Sequence, residues 1–205
     1  MRPQKRKMSK FIYLIFSFFI LLASCGNEES SSGDVLFENG KYQEAIQAYS
    51  DYLTTNPDHE KTLYNRGRSY EELGKYKEAT ADFIKITELD PYNINAFLSL
   101  AKVSYNANNY NQVLLYSGKA IKLNENSAQA QFLHARGAHQ LGYTDQALEA
   151  YNNAITINKN FGEAFLYRGA LKIGLDRTSS ACEDFNFAKL LNVDGADKAL
   201  STYCK

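Results

Sequence analysis

Three cations fall at equal steps along this chain: Arg68, Lys102 and Arg136 stand 34 residues apart, with Tyr64, Tyr105 and Phe132 close by in sequence. A guanidinium or ammonium beside an aromatic ring can hold a carboxylate by charge-assisted hydrogen bonds and an apolar neighbour by ring packing. That is binding chemistry rather than bond-breaking chemistry. The alternative is a solvated surface in which the cations neutralise Glu71 or Glu72, where each exposed pair contributes under about 1 kcal/mol. Residue types suited to catalysis do not converge. His134 and His139 are five apart, about 140° around a helix, whereas two zinc ligands on one face want a spacing of four. His59 follows Pro57 in a turn with no cysteine or acid cluster near it. No glycine-rich phosphate loop, serine elbow or catalytic cysteine signature is present, and Glu28-Glu29 and Glu71-Glu72 read as stalk or solvated surface. The expectation is a protein that is not an enzyme and has no cofactor and no metal site.

The step of 34 extends beyond the cations to whole columns of residues. Gly40 recurs as Gly74, Tyr42 as Tyr76 and Tyr110, and Pro57 as Pro91. Ala45, Ala79, Val113, Ala147 and Ala181 form one column, and Tyr49, Phe83, Ser117, Tyr151 and Phe185 another. Asn56, Asp90, Asn124, Asn158 and Asn192 each close a helix-like stretch. A unit such as residues 60–93 reads as two short amphipathic helices. Leu63, Gly67, Tyr70 and Leu73 make the first apolar stripe, and Tyr76, Ala79, Phe83, Ile86 and Leu89 the second. Gly74 stops the first helix, and Asp90-Pro91 stops the second, because the residue before a proline is driven from the helical region. Gly67 and Ala79 are small where the two helices would cross, which lets Tyr70 and Phe83 fill the space beside them. One pair buries too little apolar surface to stand alone, so at least three must stack.

Small residue, glycine, tyrosine, alanine, aromatic and proline, carried most fully by Gly67, Gly74, Tyr76, Ala79, Phe83 and Pro91, resemble the pattern of tetratricopeptide repeats over about residues 32–195. The resemblance implies an all-α fold, a right-handed α-solenoid of helix pairs with a C-terminal capping helix at about 195–204. It also implies that the first helix of each unit lines a concave groove. Lys61, Tyr64, Arg68 and Glu71 would then point into it, followed by Asn95, Leu98, Lys102 and Tyr105, and by Gln129, Phe132, Arg136 and His139. The expected partner-binding residues are Tyr64, Arg68, Lys102, Tyr105, Phe132, Arg136 and His139, and the expected partner is a protein segment with acidic groups. Relatives that bind chaperone tails use a two-carboxylate clamp, but Tyr64, Ser99 and Gln129 stand where it would need other residues, so that activity is not expected. The chain departs from the pattern at Asn108 and Val113, in the missing proline of units three to five, and in a first helix shortened to about Gly33–Asn39. The third unit and the amino end are therefore the expected loose points. In the cap helix Leu200 and Tyr203 should face inward. Cys182 and Cys204 each lie eleven residues from Val193, so a helix hairpin turning there would place them opposite one another as a disulfide; two reduced cysteines are the alternative.

The amino terminus reads differently. Arg2, Lys5, Arg6, Lys7 and Lys10 precede an apolar run, Phe11 to Ala23, of 13 residues, and a membrane-spanning helix needs about 20. A basic start, a short apolar middle and small residues make an export signal. Leu22-Ala23-Ser24-Cys25 resembles the lipobox of bacterial lipoproteins, which implies cleavage after residue 24 and acylation of Cys25, durable membrane anchoring needing two or more chains. Removing 1–24 takes away five basic residues and no acid, leaving 18 basic against 23 acidic. That excess of acid argues against a nucleic-acid partner. Residues 25–32 are expected as a flexible, lipid-bearing stalk, and 33–205 as one repeat domain. The expected place is the cell envelope, at the outer membrane on its periplasmic or outer face. The expected role is an interaction scaffold. Alternatives are a surface-displayed accessory to uptake or secretion, suggested by Gly26-Asn27-Glu28-Glu29, or a self-associating structural protein.

Overall fold

The computed structural model describes residues 28–205, with side chains from residue 32 on. The basic start, the apolar run and Cys25 lie outside the described residues. Among the described residues there are eleven helices and no strand, and no helix is long and apolar enough to cross a membrane. The all-α expectation holds. The described residues fall into two compact units, one ending at Leu73 and the other Gly74–Lys205. Elements of a repeat array touch only their neighbours, so a division of this kind needs no linker.

The first unit contains α1 (Glu28–Glu38), α2 (Tyr42–Thr55) and α3 (Glu60–Glu72), with α1 packed on both of the others. Helix α1 reaches into the expected stalk: Glu28 to Ser32 open a helix of 11 residues. Acidic residues are favoured at a helix start by the backbone dipole, and the helix has a surface to fold on. A Cβ added at Gly33 would sit 2.5 Å from the Tyr49 ring, so only glycine fits that approach. Next to it, the Asp34 carboxylate accepts from the Tyr49 hydroxyl at 2.9 Å, Lys61 Nζ at 2.8 Å and Asn65 Nδ2 at 2.8 Å. Burial alone would raise its pKa, but these bonds and the Lys61 charge outweigh it and hold the carboxyl below its ordinary range. Three helices are thereby joined at one side chain.

The second unit contains α4 (Tyr76–Leu89), α5 (Ile94–Asn106), α6 (Tyr110–Leu123), α7 (Ala128–Gln140), α8 (Thr144–Ile157), α9 (Gly162–Ile173), α10 (Thr178–Leu190) and α11 (Ala196–Tyr203). Each helix packs on the next, and α5, α7, α9 and α11 also pack in succession. The repeated columns are the core: Ala79, Val113, Ala147 and Ala181 are fully buried, as are Phe83, Ser117 and Tyr151, with Phe185 nearly so. Val113 is larger than the alanine of its column. It fits because α7 has Gly137 opposite, where an added Cβ would lie 2.8 Å from Val113 Cγ1.

The turns explain why the departures from pattern do not break the fold. Gly40, Gly74, Asn108, Gly142 and Asp176, one per unit, all take positive φ between 57° and 76°, and asparagine and aspartate tolerate that region better than other non-glycine residues. After Gly40, Asn108, Gly142 and Asp176 the next N–H reaches back five residues, as from Asn109 to Ser104 O at 2.8 Å, a Schellman closure. The expected loose third unit therefore keeps its turn. At the other turn a side chain closes the bend with or without the proline: Asp90, which precedes Pro91, and Asn124 and Asn158, which precede none, each accept from the N–H two residues on, at 3.0 Å. Asn192 breaks that column, with φ 55° and Val193 N–H bonded to Ala188 O. The helices that follow start on side-chain caps from His59, Asn93 and Ser127.

The cap follows Gly195, whose φ of 87° redirects the chain into α11. Cys182 and Cys204 are bonded as a disulfide, as the hairpin register predicts. Ala196 is buried and Leu200 half-buried, whereas Tyr203 stacks on Phe185 at 6.2 Å yet stays 49% exposed. The expected inward face is thus only partly enclosed at Tyr203.

Candidate partner-binding face

The expected binding residues fall in separate settings. In the first unit Tyr64 is half-buried on α3, and the Arg68 guanidinium lies over the Phe37 ring at 5.3 Å. Lys61, at the head of the same row, is tied to Asp34 in an ion pair of 2.8 Å. In the second unit Lys102 is exposed on α5. Arg136, on α7, is held between two rings, with its Cζ 3.6 Å from the Tyr105 centroid on α5 and 4.8 Å from that of Tyr167 on α9. The structure therefore brings Tyr105, Phe132 and Arg136 together and adds Tyr167, which sequence reasoning missed. Tyr167 occupies a position that is Asn65, Ser99 and Leu133 in the other units, so no column announces it.

Phe132 was expected to meet a partner, and the structure gives it a different place. It is 6% exposed and packs on Phe161, Tyr167 and Tyr151 at centroid distances of 4.8, 5.7 and 6.2 Å. The ring forms the floor of the cluster because α8 contributes Tyr151 to that point and α9 contributes Tyr167 together with its N-cap residue, Phe161. His139 sits edge-on to Tyr151, with Nδ1 3.5 Å from its hydroxyl, and burial pushes its pKa down. Burial likewise pushes the Tyr151 hydroxyl well above the usual phenol range, although the Arg136 charge pulls the other way. Arg136 makes no ion pair with any described residue, and its Nε is buried without an acceptor.

Two other polar clusters show what satisfied groups look like here. Ser117 Oγ lies 2.9 Å from His134 Nδ1, and His134 Nε2 lies 2.7 Å from Gln146 Nε2. The pair has the residue types of a nucleophile and base, but the proton positions oppose that role. Ser117 donates to Val113 O at 2.6 Å, so His134 must carry its proton on Nδ1 toward serine and accept from Gln146 on Nε2. Burial pushes His134 down, consistent with a neutral ring. On α10, Asp184 is 2% exposed and takes Arg168 Nε at 2.9 Å and Nη2 at 2.6 Å, with Lys172 Nζ at 2.8 Å. Arg168 Nη1 also reaches Asn152 Oδ1 at 2.6 Å. These groups lock α8, α9 and α10 together.

Models of the family described as "Tetratricopeptide repeat" match residues 31–94 and 128–161. The mitochondrial import receptor subunit TOM70 of Homo sapiens is 33% identical over 89 residues, covering 41% of this chain and 15% of the receptor subunit. The Hsp70-Hsp90 organizing protein 2 of Arabidopsis thaliana is 26% identical over 102 residues, covering 50% of this chain and 18% of its own length. The chain thus spans less than a fifth of either relative. Among solved structures, MamA from Desulfovibrio magneticus RS-1 superposes with a TM-score of 0.75 at 18% identity, covering 83% of this chain and 97% of that one. YrrB, a tetratricopeptide protein "with an unusual peptide-binding site", does so with 0.69 at 21%, covering 91% and 96%. Residues 31–94 and 128–161 of this chain thus match tetratricopeptide repeats, and its all-α fold is the one that these structures share.

Proposed function

We propose that the chain is a lipid-tethered scaffold of the bacterial cell envelope that holds a segment of a partner protein against its first-helix face. The observation that carries this is Arg136, fixed between Tyr105 and Tyr167 across three successive first helices, with no acidic partner of its own among the described residues. A guanidinium immobilised by ring packing loses little freedom on binding, and the flanking aromatics supply apolar contact. The peptide-binding site named for YrrB, and the partner proteins named for the organizing proteins, support a polypeptide as the ligand class. Arg68 on Phe37 offers the first unit the same cation-on-ring chemistry. The tether rests on Leu22-Ala23-Ser24-Cys25 and on the basic and apolar run before it, which support acylation of Cys25 and an outer-membrane position.

Affinity capture from envelopes tests both parts. The acylated wild type should retain a partner that the triple variant Arg68→Ala, Lys102→Ala, Arg136→Ala fails to retain while its helical circular dichroism is unchanged; equal capture by the two discards the groove. Replacing Cys25 with serine should abolish acylation and release the chain from membranes. Self-association is the second reading, favoured by Phe187 and Leu190, which α10 leaves 51% and 75% exposed. A sedimentation profile that shifts with concentration would support it.

A further inference from the structure

We infer that Arg136 is a carboxylate receptor, and that the segment bound on this face is selected by one acidic group presented edge-on between Tyr105 and Tyr167. The inference rests on the segment-binding reading above and names what that segment must carry.

The chain contains its own standard of comparison. Arg168 is a half-buried guanidinium whose edge is met by a carboxylate, Asp184 taking Nε and Nη2 at 2.9 and 2.6 Å. Arg136 is a half-buried guanidinium with rings on its faces and no carboxylate at its edge. Its Nε is shut away from water and lacks an acceptor, and a charged donor left unmatched in a part-apolar setting is costly. The terminal nitrogens make no hydrogen bond to a described residue, so they are the edge on which an acceptor can land. The Tyr105, Tyr167 and Phe132 rings, at 3.6, 4.8 and 5.6 Å from Cζ, crowd the guanidinium and fix its plane. A planar carboxylate fits the fork in plane with two parallel bonds, whereas an amide offers one acceptor and no charge. Both sources of a carboxylate, an Asp or Glu side chain and a free C-terminus, satisfy the same chemistry.

The test uses the full chain in mild detergent and a library of random dodecapeptides displayed with free C-termini. Peptides selected by the wild type are then resynthesised in three forms: unchanged, with each acidic residue replaced by its amide, and with the C-terminus amidated. In one of the two amide forms binding to the wild type should weaken about 10- to 100-fold, the range for a charged hydrogen-bonded contact, and which form does so identifies the source of the carboxylate. For Arg136→Met the same peptides should bind within about 2-fold of each other whether acid or amide. Should that variant fold poorly, Tyr105→Leu removes one wall and keeps the charge, and the discrimination should fall several-fold. Selected peptides that bind equally well as acids and amides overturn the carboxylate receptor and leave segment binding standing. Discrimination that survives intact in Arg136→Met, or in Tyr105→Leu where the first variant misfolds, overturns it too, because the acid then lands elsewhere. Selection of no peptide at all overturns both proposals together.

Discussion

Replacing Asp184 with alanine should unfold the second unit more readily than any other single polar change in it. The carboxylate side chain is 3% exposed, and its two cationic partners, Arg168 and Lys172, are 16% and 17% exposed. Removing it leaves two like charges facing each other with little water to screen them. Breaking a buried pair from one side costs about 3–5 kcal/mol, because the partner charge stays behind uncompensated. For a domain of this size 1 kcal/mol shifts the midpoint by about 2–4 °C, so thermal unfolding followed by circular dichroism should show a midpoint lower by roughly 10 °C. The same argument says that removing the whole cluster is far milder. Arg168→Met and Lys172→Met combined with Asp184→Leu should recover most of the loss, since a well-packed apolar substitute for a buried ion cluster is often neutral or better. A single Asp184→Ala variant within about 1 kcal/mol of wild type would refute the reasoning, as would a triple variant no better than the single one.

Gly137→Ala should destabilise the chain by about 1–3 kcal/mol through overpacking against Val113 despite the better helix propensity of alanine; Val113→Ala in the same chain should restore it, which a double-mutant cycle in denaturant would read. Reducing Cys182–Cys204, or replacing both with serine, should cost about 3 kcal/mol by the loop-closure account for a separation of 22 residues, and hydrogen exchange should show the loss first in α11. Acid should weaken the units in order. His134 and His139 are pushed below their ordinary 6.5 by burial, so the second unit is at full strength above that pH and weakens as pH falls below it toward the lowered values. Asp34 is held below 3.8, so what it contributes to the first unit is complete above about pH 4 and is lost only as pH drops through its lowered value. Site-resolved exchange between pH 7 and 3 should show protection falling first in α7; loss beginning in α1 would contradict the assignment.

Much of the fold could be read from residues whose role depends only on their own position in the repeat. Ala147 and Tyr151 belong to columns that are buried in every repeat, so position in the repeat alone predicts them. Asn108 looked like a defect only because glycine is the commoner left-handed residue, and its backbone takes the turn regardless. The start of α1 was hidden because Glu28 to Ser32 have a stalk-like composition, and the surface that holds Gly33 comes from Tyr49, 16 residues later. Tyr167 was hidden for a related reason. It reaches Arg136 from the next unit, and an offset between units is set by how helices pack, which a single-unit pattern does not encode. Asp184 carried a faint signal, since Arg66 and Asp82 repeat the 16-residue spacing of Arg168 and Asp184. Glu183 beside it made the stretch look like an ordinary wet surface.

The two ends of the described chain are fastened in different ways, and this gives the molecule a direction. At the carboxyl end a covalent bond joins α11 to α10; at the amino end α1 is secured to its neighbours through the Asp34 carboxylate and the close seat of Gly33. Tension transmitted from the amino terminus would meet only breakable, quickly re-formed contacts, and would peel α1 away before any sulfur was strained. A chain built this way would give under load from its first turn and heal from its last.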